Sequence, residues 1–415
     1  MAKNDLIAGL DIGSGRVTCV LAEPNPDGQG VRVLSGAIEP CRGVQGGVVL
    51  NISEASRVVR RVVEKAEEEA HGKGMVQGVY LGVRGKHIEG LNNDGAYNIA
   101  RTDKEITPED VQAVIGNARA ISISSDREIL HTLPQSFSLD KQKGMPDPVG
   151  MEGSTLGVEA HIVTALSSHL NNLSKAVALA GFEVYHTFYN PIALGELIVM
   201  PDERELGCLL ADIGGQSISL AVFHDKAVRF TKELPIGTDS ITKDVAHALR
   251  TSTATAEKLK LEHGVAHPRL AGEDCEITYV GVDGRTQRTI KRSSMIQVIL
   301  PRVEELFDLV RQEVEGSGYA DIVQGGGIIL AGGGSMLKGM TEAAEQVLSM
   351  QARLGLVHPD SVTADEKYFD PTFASALALT CFHRSSTFET AQRENGRRTD
   401  PSWLRAGRKF FRELF

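Results

Sequence analysis

Two short stretches of the chain set a carboxylate directly before a glycine turn. One is Asp11-Ile12-Gly13-Ser14-Gly15-Arg16, and the other is Asp212-Ile213-Gly214-Gly215-Gln216-Ser217. An apolar run precedes each Asp, as expected for a buried strand that delivers a carboxylate to a cleft. The adjoining glycines let backbone N–H groups approach phosphate oxygens. Ser14 adds a hydroxyl and Arg16 a positive charge. Either turn alone reads as an ordinary hairpin. Two opposed turns can grip phosphates from both sides, with Asp11 and Asp212 facing a Mg²⁺ through bound water. A third stretch, the apolar run 328–331, enters Gly332-Gly333-Gly334-Ser335 ahead of a helix expected near Leu337. Glycines at such a turn admit an adenosine close to the backbone and the helix N-terminus.

The elements that must position these turns form an α/β pattern. Strands are expected over 6–11, 16–23 and 31–38, then a helix over 53–70 capped by Ser53, and a strand over 77–83. Between residues 84 and 160 the texture changes to an inserted small α/β subdomain, with one helix opened by Thr107-Pro108-Glu109-Asp110. The α/β pattern resumes with a strand over 161–165, a helix over 168–180 and a strand over 183–188. From residue 206 the opening repeats, so a two-lobed chain of duplicated halves is expected. The first lobe is read as 1–83 and 161–200. The second is read as 201–383, with a helical subdomain over 237–315 that contains helices at 239–263 and 295–315 and a hairpin turning at Asp283-Gly284.

Composition narrows the function classes. The chain has 415 residues, enough for two or three domains, and a net charge of −10. That charge excludes a general nucleic-acid binder, which needs a basic face. The five cysteines are scattered without C-x-x-C spacing, which predicts neither disulfides nor a zinc site. The start shows no signal-peptide pattern and no apolar run is long enough to span a bilayer, so a cytoplasmic protein with at most peripheral membrane contact is expected.

The end of the chain departs from its acidic body. Residues 384–400 are polar and aperiodic and read as a flexible linker. In 401–415, Trp403, Leu404, Phe411, Leu414 and Phe415 fall on one side of a helical projection, while Arg405, Arg408, Lys409 and Arg412 flank or oppose them, and Phe410 adds an aromatic. The only Trp of the chain, aromatics and basic flanks are what an interfacial helix on anionic lipid needs. The competing reading is a terminal helix docked on the protein's own core.

The three glycine turns, in this order, resemble the actin, sugar-kinase and heat-shock-chaperone ATPase superfamily, across about residues 5–383. Within it the chain resembles the FtsA family of bacterial cell-division proteins. The resemblance is carried by Asp147-Pro148-Val149-Gly150-Met151, Gly157-Val158-Glu159-Ala160-His161, Ala256-Glu257-Lys258-Leu259-Lys260 and the amphipathic terminus. It implies a two-lobed actin-like fold of the duplicated ribonuclease-H-like type, and ATP with Mg²⁺ between the lobes. It further implies that Glu257 and Lys260 lie near base and ribose, and that the protein forms filaments with itself. The place implied is the cytoplasmic face of the inner membrane at the division site, where the protein anchors the FtsZ ring and helps recruit other division proteins. The FtsZ C-terminal peptide is assigned to the helical subdomain, with Arg302 as the residue suited to its acids; an ordinary surface ion pair is the alternative for Arg302. Two departures bear on hydrolysis. Gln216 stands where the second turn usually has a third glycine, and Asn190-Pro191 occupies the region of the water-orienting residue, so slow or negligible ATPase activity is expected. The alternative function is a small-molecule kinase of the same superfamily, for which no catalytic carboxylate is identified and the tail has no use.

Overall fold

The computed structural model describes residues 6–26, 30–357 and 361–382. The linker 384–400 and the membrane-helix residues Trp403 to Phe415 lie outside the described residues. Strands β1 (Ile7–Ile12), β2 (Arg16–Pro24) and β3 (Val31–Pro40) form an antiparallel meander. A small hairpin, β4 (Val44–Gln45) and β5 (Val48–Val49), leads to α1 (Ile52–Glu69) and β6 (Gly78–Val83). The inserted unit comes next, as β7 (Ile88–Asn98), α2 (Pro108–Arg119), β8 (Arg127–Leu139), β9 (Gln142–Met145) and β10 (Thr155–Leu166). The chain then returns through α3 (Ser167–Ala180), β11 (Glu183–Tyr189), α4 (Asn190–Ile198) and α5 (Pro201–Leu206).

A second meander, β12 (Cys208–Ile213), β13 (Ile218–His224) and β14 (Ala227–Leu234), opens the second lobe. Its helical part comprises α6 (Asp239–Leu249), α7 (Thr253–His263), the hairpin β15 (Glu276–Val280) and β16 (Gln287–Lys291), and α8 (Arg292–Ser317). β17 (Ile328–Ala331), α9 (Met340–Leu348) and β18 (Ala352–Leu354) complete its sheet. Last come β19 (Val362–Thr363) and α10 (Ala374–Phe382).

The lobes repeat one arrangement. In the first, the strand order is β11-β6-β1-β2-β3-β19, and in the second β14-β13-β12-β17-β18. In each, an Asp-bearing strand pairs antiparallel with its successor and parallel with a later strand: β1 with β6 and β12 with β17. Every residue of β1 and of β12 is buried, which is why both read as continuous apolar runs rather than alternating ones. The registers set Asp11 opposite Gly82 and Asp212 opposite Ala331, so the residues just after β6 and β17 land beside the two carboxylates. The inserted unit has its own sheet, β7-β10-β8-β9, and its own core around Ile106, Ile115 and Leu156. β10 runs unbroken through residue 160, the expected end of the insertion.

Several expectations need correction. The second lobe does not extend to 383: β19 pairs with β3, and α10 buries Ala376, Leu377 and Leu379 in the first lobe's core. Gly9 in β1 makes that return possible, because a Cβ there would stand 2.1 Å from the Ala376 carbonyl oxygen. The helix expected near Leu337 starts at Met340, after a 3₁₀ turn over Gly333–Met336. The helical region expected over 239–263 is present as two helices, separated where Arg250 takes a left-handed conformation. Thr107 does cap α2, with the reciprocal Asp110 contact of a capping box. The cap of α1, however, is Asn51 and not Ser53: the Asn51 Oδ1 accepts from the Glu54 N–H at 3.0 Å. None of the described helices is long and apolar enough to cross a membrane.

Replacing Asn51 by Ala should lower stability by about 1 kcal/mol, the usual cost of a lost N-cap. Ser53→Ala should stay within about 0.5 kcal/mol, as for an ordinary surface change. Urea unfolding of the two variants side by side checks which residue caps the helix.

Candidate functional site

The three glycine turns converge on one cleft of about 310 Å³ between the lobes, at the small end of the range for ligand pockets. Asp11, Gly13, Ser14, Gly15 and Arg16 line it from the first lobe. Gly214, Gly215, Ser217, Glu257, Lys260, Gly332, Gly333 and Gly334 line it from the second. Asp212, Gln216 and Ser335 do not reach its wall. The Gln216 amide donates to Asp239 Oδ2 at 3.0 Å, at the start of α6. Ser335 is buried and donates to the Gly332 carbonyl at 2.7 Å. Asp212 lies beneath the wall, fully buried.

Lys260 is buried, and its Nζ contacts Glu257 Oε2 at 2.7 Å and Thr242 Oγ1 at 2.8 Å. α7 thus brings a cation and an acid to the cleft together, one turn apart on the same face. Exposed Leu261 and Met336, neither anticipated from sequence, line the same end and offer apolar surface suited to a planar base. Thr238, Asp239, Pro371, Thr372 and Ser375 are further wall residues that no motif marked.

The residue with the largest effect on the site was also not anticipated. Arg84 comes directly after β6, and its guanidinium stands between the two carboxylates. Nη2 donates to Asp11 Oδ2 at 2.8 Å and to Ser375 Oγ at 3.1 Å. Nη1 lies 2.9 Å from Asp212 Oδ2, an ion pair whose N–H is not aimed at the oxygen. Burial disfavours the charged guanidinium, but Asp11 and Asp212 outweigh it and raise its pKa above the ordinary value. Burial likewise pushes the Asp212 carboxyl up, against the opposing pull of Arg84.

The two-carboxylate Mg²⁺ site expected from the sequence does not fit this arrangement. Asp11 Oδ2 is held by Arg84, and Asp11 Oδ1 accepts from the Asn190 amide at 2.8 Å. Asp212 Oδ2 faces Arg84, and Oδ1 faces the backbone of Gly332, where a Cβ would stand only 2.2 Å away. Gly332 also has φ +77°, so its glycine is required twice over. A hydrated Mg²⁺ keeps several waters in an octahedron and needs space beside the carboxylates. That space holds a guanidinium. Among the described residues no group of three or more His, Cys, Asp or Glu is placed to hold a metal ion.

Arg302 is also engaged within the chain. Nε and Nη2 contact the two oxygens of Asp244 at 2.6 and 3.2 Å, and Nη1 contacts Glu305. Any acidic peptide recognised there must compete with these two acids.

Behind Arg84, Glu233 of β14 is buried beside Ser219 and Tyr189, and burial pushes its carboxyl from the ordinary 4.5 up to about 7. A raised acid favours the fold while neutral; that contribution is full below the unfolded value and is lost as pH rises through the folded one. Glu233→Gln should therefore gain stability over the parent as pH goes from about 5 to about 8.5, with a ceiling on the order of 3 kcal/mol. Melting temperatures of both chains at the two pH values check the sign.

Known proteins resemble this chain, some in sequence and some in fold. The family profile described as "Cell division protein FtsA" matches residues 209–378, and "SHS2 domain inserted in FTSA" matches residues 85–164. The "Cell division protein FtsA" of Pseudomonas aeruginosa is 36% identical over 351 residues, covering 85% of this chain and 83% of its own. That of Escherichia coli K12 is 30% identical over 419 residues, covering 99% and 98%. Among solved structures, a "PilM-PilN type IV pilus biogenesis complex" superposes with a TM-score of 0.60 at 19% identity, over 90% of this chain and 97% of that one. MreB5 of Spiroplasma citri bound to ADP gives 0.55 at 13% identity, over 95% and 100%. These two likenesses speak to fold alone, and they make the two-lobed architecture actin-like. Aligned almost end to end with relatives at 30% identity or above, the chain belongs to the FtsA family of cell division proteins.

Proposed function

We propose that the chain is an ATP-binding adaptor of the division machinery that polymerises on the cytoplasmic face of the inner membrane. It anchors the FtsZ ring there by binding the FtsZ C-terminal peptide, and helps recruit later division proteins. The observation that carries the reading is the convergence of three glycine turns from two lobes on one cleft. Backbone N–H groups at the turns beside Ser14 and Ser217 suit phosphates, and Leu261 with Met336 suits the base. The ADP- and AMPPNP-bound MreB5 structures, which share the fold, support a nucleotide as the ligand. Mg²⁺ is not part of this reading. Hydrolysis is slow or negligible, since Asp11 and Asp212 are both tied up and Asn190 spends its amide on Asp11 rather than on a water. The engagement of Asp11 and Asp212 with Arg84 weighs against a small-molecule kinase that would use either as its base.

Membrane attachment is assigned to the terminal helix with Trp403, Leu404, Phe410, Phe411, Leu414 and Phe415 as the apolar insert. Each flanking basic residue near an anionic leaflet is worth roughly 1 kcal/mol, so one tail binds reversibly and filaments bind through many tails. In co-sedimentation with anionic liposomes and ATP, the full chain should pellet and a chain ending at Asp400 should stay soluble. Both remaining soluble, or both pelleting alike, removes the tail as anchor and returns a soluble phosphotransferase to consideration.

The peptide site is assigned to the helical subdomain, with Arg302 recognising an acid. Losing a charged hydrogen bond should make Arg302→Ala bind the peptide roughly tenfold more weakly, while Asp244→Asn, which frees Arg302, should bind more tightly. Anisotropy of a labelled FtsZ C-terminal peptide measures both; no change in either variant moves the docking site elsewhere.

A further inference from the structure

We propose that Arg84 is the resident cation of the phosphate cleft: its guanidinium takes the place of a divalent metal between Asp11 and Asp212, so that the cleft binds nucleotide without Mg²⁺. The proposal rests on the ATP-binding reading above and adds to it the ionic form of the ligand.

Three observations carry it. The first is occupancy: Arg84 stands against one oxygen of each Asp and Asn190 donates to the second oxygen of Asp11, while Asp212 Oδ1 is buried against Gly332 with no hydrogen-bond partner. A metal placed between the two acids would have to expel Arg84. The second is anchorage. The Arg84 side chain is only 10% exposed and is held from three directions, by β1, by β12 and by Ser375 of α10. Its backbone is fixed as well, since Gly85 packs so tightly on Gly46 that a Cβ would lie 2.4 Å from the Gly46 carbonyl oxygen. The third is position. Arg84 lines the cleft with Arg16 and Lys260, and Nη1 lies 3.8 Å from where a Cβ on Gly214 of the second phosphate turn would stand. Nη2 spends its two N–H groups on Asp11 and Ser375, whereas Nη1 keeps an N–H not needed for Asp212. Guanidinium is permanently charged and is the side chain best matched to phosphate oxygens.

A charge of this kind cannot be chelated, which makes the test direct. A fluorescent ATP analogue is titrated into the full chain in excess MgCl₂ and, separately, in EDTA. The parent should bind with affinities within about twofold of each other. Arg84→Ser, which leaves two bare carboxylates, should weaken by about tenfold or more in EDTA and recover in MgCl₂. Arg84→Lys keeps the charge and should remain indifferent to EDTA. Near-UV circular dichroism establishes that each variant is folded; if the Ser variant does not fold, the parent and Lys variant decide. Parent binding that appears only with MgCl₂ overturns the proposal and leaves the ATP reading standing. Absence of binding under both conditions overturns the ATP reading itself, and this proposal with it.

Discussion

Two acids meeting at the seam between two lobes form an unstable arrangement unless a positive charge lies between them. Two carboxylates roughly 5 Å apart repel by on the order of 3 kcal/mol at an effective dielectric near 20, and Asp212 is fully buried from bulk solvent. Arg84 supplies that charge, and the molecule is arranged around the need. The duplicated sheets point the ends of β1 and β12 at each other. β6, parallel to β1, ends where its next residue can span the gap. β17 is the counterpart of β6 in the second lobe, and its next residue is a glycine, with no side chain. One lobe contributes the charge and the other the space for it.

Two other features join the lobes around this tie. The chain leaves the second lobe and comes back, placing β19 on β3 and α10 across β1, so the first lobe's core is finished only by the last described helix. The inserted unit also lies against β14. Asn92 and Gln135 donate to the Arg229 and Val228 carbonyls at 3.1 and 2.8 Å, and buried His161 pairs with Thr231 at 2.8 Å. Since β14 also carries Glu233, the face that meets the inserted unit and the face behind Arg84 belong to one strand.

The features legible in the sequence have a local cause. The Asp-Ile-Gly turns, the triple glycine and the Thr107 cap are contiguous residues whose geometry stems from their own backbone; glycines of all three turns line the cleft and Thr107 caps α2. The actin-like fold is legible because the two turns recur. The features that escape a sequence reading depend on the partner and not on the segment. Arg84 is one basic residue after an apolar strand, and nothing nearby in sequence says that Asp11 and Asp212 will flank it. Gln216 sits in a phosphate turn, but its amide donates to Asp239. The return of α10 is hidden because its residues suit either core. Ser53 and Asn51 are both good capping types, and only the backbone path selects Asn51.

The long strand of the inserted unit has a mechanical meaning. β10 has 12 residues, which at about 3.3 Å each makes a beam of about 40 Å. One end continues into α3 of the first lobe, and the rest is clamped on both sides, by β7 and β8. Its far end, Thr155, stands at the outer edge of the inserted unit, and the pairing with β8 shifts register twice on the way, at Glu159/Ala160 and Val163/Thr164. A tilt of roughly 4° at its root moves the tip by roughly 3 Å, which is as much as a full hydrogen bond's length. A small change of angle at α3 is therefore a large displacement at the outer edge of the inserted unit, unless its contacts with β14 hold it.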